Sequence, residues 1–120
     1  MIAIYCGAAA RGDGEVVVFG DGEQTRDFVY VGDVVDALIA AADGRPFGPF
    51  NVGTGVETSI NALARELGLT TRSEPARPGE VQRSCLDPAR ASRELGWSAA
   101  VPLAQGLERT LEWARAQALA

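Results

Sequence analysis

Arginines and carboxylates are the side chains with chemistry to offer in this 120-residue sequence, and they recur in two short runs. In the first, QTRDFVY at residues 24–30, Arg26, Phe28 and Tyr30 are spaced two apart. Read as an extended strand, that spacing sets a guanidinium beside two aromatic rings on one face. A guanidinium fork matches phosphate oxygens bidentately, so such a face could clamp a phosphate against aromatic walls. A surface ion pair of Arg26 with Asp27 or Glu23 accounts for the same residues equally well. In the second run, RPGE at 77–80, a Pro-Gly turn holds Arg77 and Glu80 at a fixed separation. Such a pair suits a phosphate and a sugar diol bound together, although locally the run reads better as an ordinary solvent loop.

A third stretch, GTGVET at 53–58, follows a short strand and opens a helix, the setting that a dinucleotide-binding loop needs. It departs from the pattern GxGxxG at the last glycine, where Thr58 stands, and no acidic residue sits at a convincing strand end about 20 residues on. A strand-to-helix turn that uses glycine for positive φ is the better reading. What is missing narrows the chemistry further. The sequence has no histidine, the commonest general base and metal ligand. All 11 basic residues are arginine, so Schiff-base chemistry, a P-loop lysine and a tyrosine–lysine relay have no lysine to use. Ser59, Ser84 and Thr25 consequently have no partner to activate them as nucleophiles. No spacing implies two converging carboxylates. The residues alone describe a binding domain.

The elements that must position these groups alternate between strand and helix, which favours an α/β fold. An apolar helix over 2–10 begins without a cap. Strands are expected at 16–19 and 25–31, separated by the turn GDG at 20–22. Asp33 reads as the N-cap of a helix over 34–42, and residues 44–49 read as a loop. A short strand at 50–52 leads through the glycine turn to a helix capped at Thr58 or Ser59, with Ile60, Leu63, Ala64 and Leu67 as its stripe. Residues 69–86 read as mostly extended. Asp87-Pro88 opens a helix that ends at Gly96, and a last helix over 102–118 buries Leu103, Leu107, Leu111 and Ala114. Trp97 and Trp113 read as core, and Cys6 and Cys85 as buried small hydrophobes, although a disulfide between them stays open.

Composition sets the class. The chain is 47% hydrophobic and 22% charged, so it is globular and long enough for one domain over 1–120 with a core of its own. A net charge of −5 disfavours nucleic-acid and anionic-membrane partners. The apolar N-terminus lacks the basic flank of a secretion signal, and no run approaches a membrane span, so a cytoplasmic protein is expected.

Three segments in order resemble one family: VFGDGEQTRDFVYVGDVVDAL at 18–38, FNVGTGVETSINALARELG at 50–68 and RPGEVQRSCLDPARASRELGW at 77–97. LERTLEW at 107–113 fits that family's last helix. The resemblance is to the C-terminal part of the extended short-chain dehydrogenase/reductases, the NAD-dependent nucleotide-sugar epimerases and dehydratases, with wording nearest the UDP-glucose 4-epimerases. It implies the substrate-binding portion of such a fold, without most of the Rossmann domain. It also implies roles: Arg26 and Arg77 on the diphosphate of a nucleotide sugar, a UDP-sugar above all, and Glu80 on the ribose hydroxyls. Glu80 stands where many relatives carry aspartate. Arg90 stands where many carry lysine, and would be structural. The family's catalytic Ser/Thr, Tyr-x-x-x-Lys pair and Gly-rich NAD loop have no counterpart, since Tyr5 and Tyr30 are the sole tyrosines. The resemblance begins partway through a family helix, in keeping with the uncapped start. The expectation is therefore a chain that holds no cofactor alone and is inert alone. It would act as a separate sugar-nucleotide binder, as a module docking on a homologue or on itself, or as an enzyme completed by a second chain with the Rossmann domain.

Overall fold

The computed structural model describes residues 1–44 and 47–118. Of the loop expected at 44–49, Arg45 and Pro46 lie outside the described residues. The fold is α/β. Helix α1 (Ile2–Arg11) stops at Gly12, whose φ of 78° is the left-handed conformation that closes a helix. Strand β1 (Glu15–Phe19) follows, with Val16 and Val18 buried and Glu15 and Val17 facing out, the two-residue alternation of a half-buried strand. It pairs in parallel with β4 (Thr70–Glu74), from Glu15 opposite Thr70 to Phe19 opposite Glu74. A second small sheet places β2 (Thr25–Arg26) between β3 (Thr58–Ser59), antiparallel, and β5 (Arg83–Ser84), parallel. Around them stand α2 (Val31–Gly44), α3 (Ile60–Glu66), α4 (Ala89–Leu95) and α5 (Leu103–Ala118).

Two apolar clusters hold these elements. The larger joins Tyr5 and Cys6 of α1, Val16 and Val18 of β1, Ile60 and Leu63 of α3, and Leu107 of α5. Each large aliphatic side chain there contributes about 1.5–3 kcal/mol by leaving water. Ser59 starts α3, as expected, by accepting the Ala62 N–H at its hydroxyl. The smaller cluster packs Ala37 of α2 and Ala91 of α4 on Trp97, with Phe50 and Val52 against it.

Several expectations are corrected. The strand expected over 25–31 ends at Arg26, because the Asp27 carboxylate is drawn into the 53–55 loop and the chain turns into α2 at Val31. Asp33 is not a cap. It lies buried in the first turn of α2, where its carboxylate accepts the Val101 N–H at 3.0 Å and its carbonyl accepts the Trp97 indole N–H at 2.8 Å. One residue thereby fixes the approach to α5. Residues 50–52 find no strand partner and pack as a loop under α4. Trp113 is 64% exposed, since it lies off the stripe that carries Leu107 to the core. Leu103, Leu111 and Ala114 are only half-buried. Cys6 is buried as expected, whereas Cys85 is exposed beside β5, and both thiols are free.

Candidate functional site

The turn at 77–80 is built as its sequence requires. Pro78 precedes Gly79, whose φ is 79°, and the Glu80 N–H donates to the Arg77 carbonyl at 3.3 Å. That is the pattern of a type II turn, in which the third residue must tolerate positive φ. Arg77 leaves the turn to lie flat over the Phe19 ring, 3.6 Å from its centroid, at the end of β1. Glu80 also reaches Arg26. Its carboxylate is 3.6 Å from Arg26 Nη2, and both side chains are largely shielded from solvent. The sequence left open a partnership of Arg26 with Asp27 or Glu23, and the structure selects Glu80 instead.

Arg26 itself is held by its backbone surroundings. Nη1 donates to the Thr25 carbonyl and to the Val81 carbonyl, each at 2.7 Å. The β2–β5 pairing makes this possible, because it sets residue 26 opposite residue 84 and brings the 80–82 strand approach alongside. The aromatic clamp expected from Phe28 and Tyr30 does not form. With β2 ended at Arg26, those rings line a separate apolar cavity of about 520 Å³ between α1 and α5. The aromatic surface that Arg77 uses is Phe19. Arg77, Glu80 and Phe19 share with Tyr5 and Gln24 a cleft of about 460 Å³ against α1 and β1. Glu80 thus links the two arginines' surroundings: it lines this cleft with Arg77 and contacts Arg26, which lies 51 residues before Arg77 in sequence.

Two acidic residues were not singled out in sequence and carry much of the local order. Asp27 is clasped by four donors: the Thr54 N–H and hydroxyl, the Gly55 N–H and, at 3.3 Å, the Leu86 N–H. Burial pushes this carboxyl up, but the donors more than reverse that and leave it below the ordinary carboxylate range. Glu57 accepts both forks of Arg83, at 2.9 and 2.5 Å, and the Thr25 hydroxyl at 2.6 Å. Arg83 first, then Thr25, lower its pKa to about 2. A glycine-rich loop facing an aspartate was the available signal for the first. The second rests on strand register, which local sequence does not reveal.

The clasp also bears on NAD, which the resemblance brings into question. The Gly53–Gly55 loop spends its N–H groups on Asp27, and a Cβ at Gly53 would sit 2.6 Å from the Asp27 carboxylate. That loop does not fit a dinucleotide phosphate, which needs those same donors free. Tyr5 lies in the main cluster, where burial pushes its phenol up. Arg90, expected to be structural, ties α4 to the preceding loop. It pairs with Glu94 at 2.9 Å, donates to the carbonyls of Phe47 and Pro49, and lies over the Phe50 ring. Among the described residues, no helix is long and apolar enough to cross a membrane.

Residues 1–53 match the model of the NAD dependent epimerase/dehydratase family. The UDP-glucose 4-epimerase of Mycolicibacterium smegmatis is 44% identical over 124 aligned residues, spanning 96% of this chain and 39% of that protein. The crystal structure of UDP-glucose 4-epimerase from Thermotoga maritima with UDP-glucose superposes with a TM-score of 0.91 at 39% identity, over 98% of this chain and 40% of that one. The chain belongs to the NAD-dependent epimerase/dehydratase family. Its fold is a part of the extended short-chain dehydrogenase/reductase fold, and it spans about two fifths of the length of these relatives. Family members of other activities match as well, among them UDP-glucuronic acid decarboxylase 1 of Xenopus tropicalis, 33% identical over 84% of this chain and 25% of that protein.

Proposed function

We propose that this chain is a nucleoside-diphosphate-sugar-binding unit of the UDP-glucose 4-epimerase kind, with Arg26 and Arg77 as diphosphate ligands and Glu80 as the acceptor for the ribose hydroxyls. The observation that carries this reading is the contact that brings Arg26 to Glu80, on the same turn that carries Arg77 over Phe19. Two guanidinium groups offer the bidentate donors that a diphosphate needs, and a carboxylate offers the acceptors that a vicinal diol needs. The UDP-glucose held by the related Thermotoga maritima enzyme supports a UDP-sugar as the ligand class.

In these 120 residues there is no lysine to pair with a tyrosine, and the one glycine-rich loop is occupied by Asp27. The unit therefore binds without turning over. Titration calorimetry with UDP-glucose and with UDP tests this. Both should bind in the micromolar to millimolar range, and Arg26→Ala or Arg77→Ala should each weaken UDP by about ten-fold or more, the worth of one charge-assisted contact. Unchanged affinity in both variants, or no heat from a folded sample, refutes the site.

A second reading has its own observation. On α2, Val31, Val35, Leu38 and Ile39 form a stripe of helical spacing, each roughly half or more exposed. An unpartnered apolar face of this kind suits a subunit that associates with a homologous chain supplying the dinucleotide domain. Sedimentation of the purified chain as a stable dimer, with no response to UDP, would favour that reading over the first.

A further inference from the structure

The contact between Glu80 and Arg26 has a consequence for what the cleft can admit. Arg26 Nη1 is committed to two carbonyls, and Nη2, one of the nitrogens left for a ligand, meets the Glu80 carboxylate at 3.6 Å. A phosphate oxygen that approaches Nη2 comes up against a negative group already there. Both side chains are about three-quarters shielded, which weakens screening by salt and water. The rigid 77–80 turn keeps the glutamate backbone where it is, so relief must come from its side-chain torsions.

We propose that Glu80 sets ligand choice at this cleft by competing with phosphate for Arg26. A bare diphosphate finds the arginine occupied and meets like charge. A nucleoside diphosphate brings hydroxyls that draw the carboxylate off Arg26, so the same movement that opens the arginine satisfies the glutamate. Glutamate can do this where a shorter acid would not reach Arg26. The proposal rests on the site reading above, and adds to it that the carboxylate is a filter as well as an acceptor.

The test compares inorganic pyrophosphate with UDP on the full chain, by calorimetry, in the wild type and in Glu80→Gln and Glu80→Asp. The wild type should favour UDP strongly. Glu80→Gln should bind pyrophosphate about ten-fold more tightly, the scale of one relieved like-charge contact, while UDP gains nothing. The shorter Glu80→Asp, drawn back from Arg26, should also admit pyrophosphate more readily than the wild type. Equal pyrophosphate affinity in wild type and Glu80→Gln overturns the filter, as does equal tightening for both ligands. Failure of the site itself looks different: UDP affinity is then indifferent to Arg26→Ala, or neither ligand binds any folded protein.

Discussion

Replacing Asp27 by alanine is the sharpest test of how this fold is held. The carboxylate accepts from Thr54 twice, from Gly55 and from Leu86, and so joins three segments that are far apart in the chain. Of these donors, the Thr54 hydroxyl can turn to water and the Leu86 contact is long. The backbone N–H groups of Thr54 and Gly55, at 2.9 Å, are the ones left without a comparable partner. A hydrogen bond to a charged acceptor contributes about 1.5–3 kcal/mol, and partial access of water to Gly55 favours the low end, so the loss is about 2–3 kcal/mol in all. At roughly 1.5 kcal/mol per molar of urea, the unfolding midpoint falls by about 1.3–2 M. The assay is tryptophan emission, because Trp97 is buried at 5% exposure and reports unfolding, while Trp113 is exposed in either state. Asp27→Asn keeps one acceptor oxygen and should lose about half as much. Should Asp27→Ala leave the midpoint unmoved, or the asparagine variant equal the alanine one, the clasp is not what orders this region.

Three further outcomes follow from the same geometry. Glu57 has its pKa lowered to about 2 by Arg83 and Thr25, so its contribution to stability is full above the ordinary glutamate value of 4.5 and is lost as pH falls towards 2. Asp27, also lowered, acts in the same direction, and Glu57→Gln should flatten the decline in urea midpoint between pH 4.5 and 2 that the wild type shows; parallel curves would refute the assignment. Gly53→Ala places a Cβ 2.6 Å from the Asp27 carboxylate and 2.9 Å from Leu86, and should cost about 1–3 kcal/mol by urea titration, with a wild-type midpoint showing that the loop yields freely. Leu63→Ala removes a wholly buried side chain from the main cluster and should cost about 2–5 kcal/mol, and a loss below 1 kcal/mol would mean that α3 is not part of the core.

The parts of this molecule legible in its sequence are those that local physics decides. The valines of β1 alternate, Ser59 has a backbone N–H three residues on, and Pro78-Gly79 admits one kind of turn; each was readable because the deciding atoms lie within a few residues. Trp113, Cys85 and Asp33 went the other way for a common reason. Helical spacing says which residues share a face, but not which face meets the core, so Trp113 could not be told from Leu107 by pattern alone. Asp33 looked like a cap because aspartate before a helix usually is one, and only the return of residues 97–101 supplies the donors that bury it.

The candidate site divides along the same line. Arg77 and Glu80 were visible as a pair because one turn holds both, whereas the aromatic clamp on Arg26 assumed a strand running on through Tyr30. That strand stops because the Asp27 carboxylate finds its donors 27 and 28 residues away, on the Gly53–Gly55 loop. The loop in turn ceases to resemble a phosphate cradle once its donors are seen to hold a carboxylate of the same chain. One long-range contact thus decides two local readings at once. It ends β2, so that Arg26 pairs with Glu80 rather than with Phe28, and it occupies the N–H groups of Thr54 and Gly55 in the glycine loop.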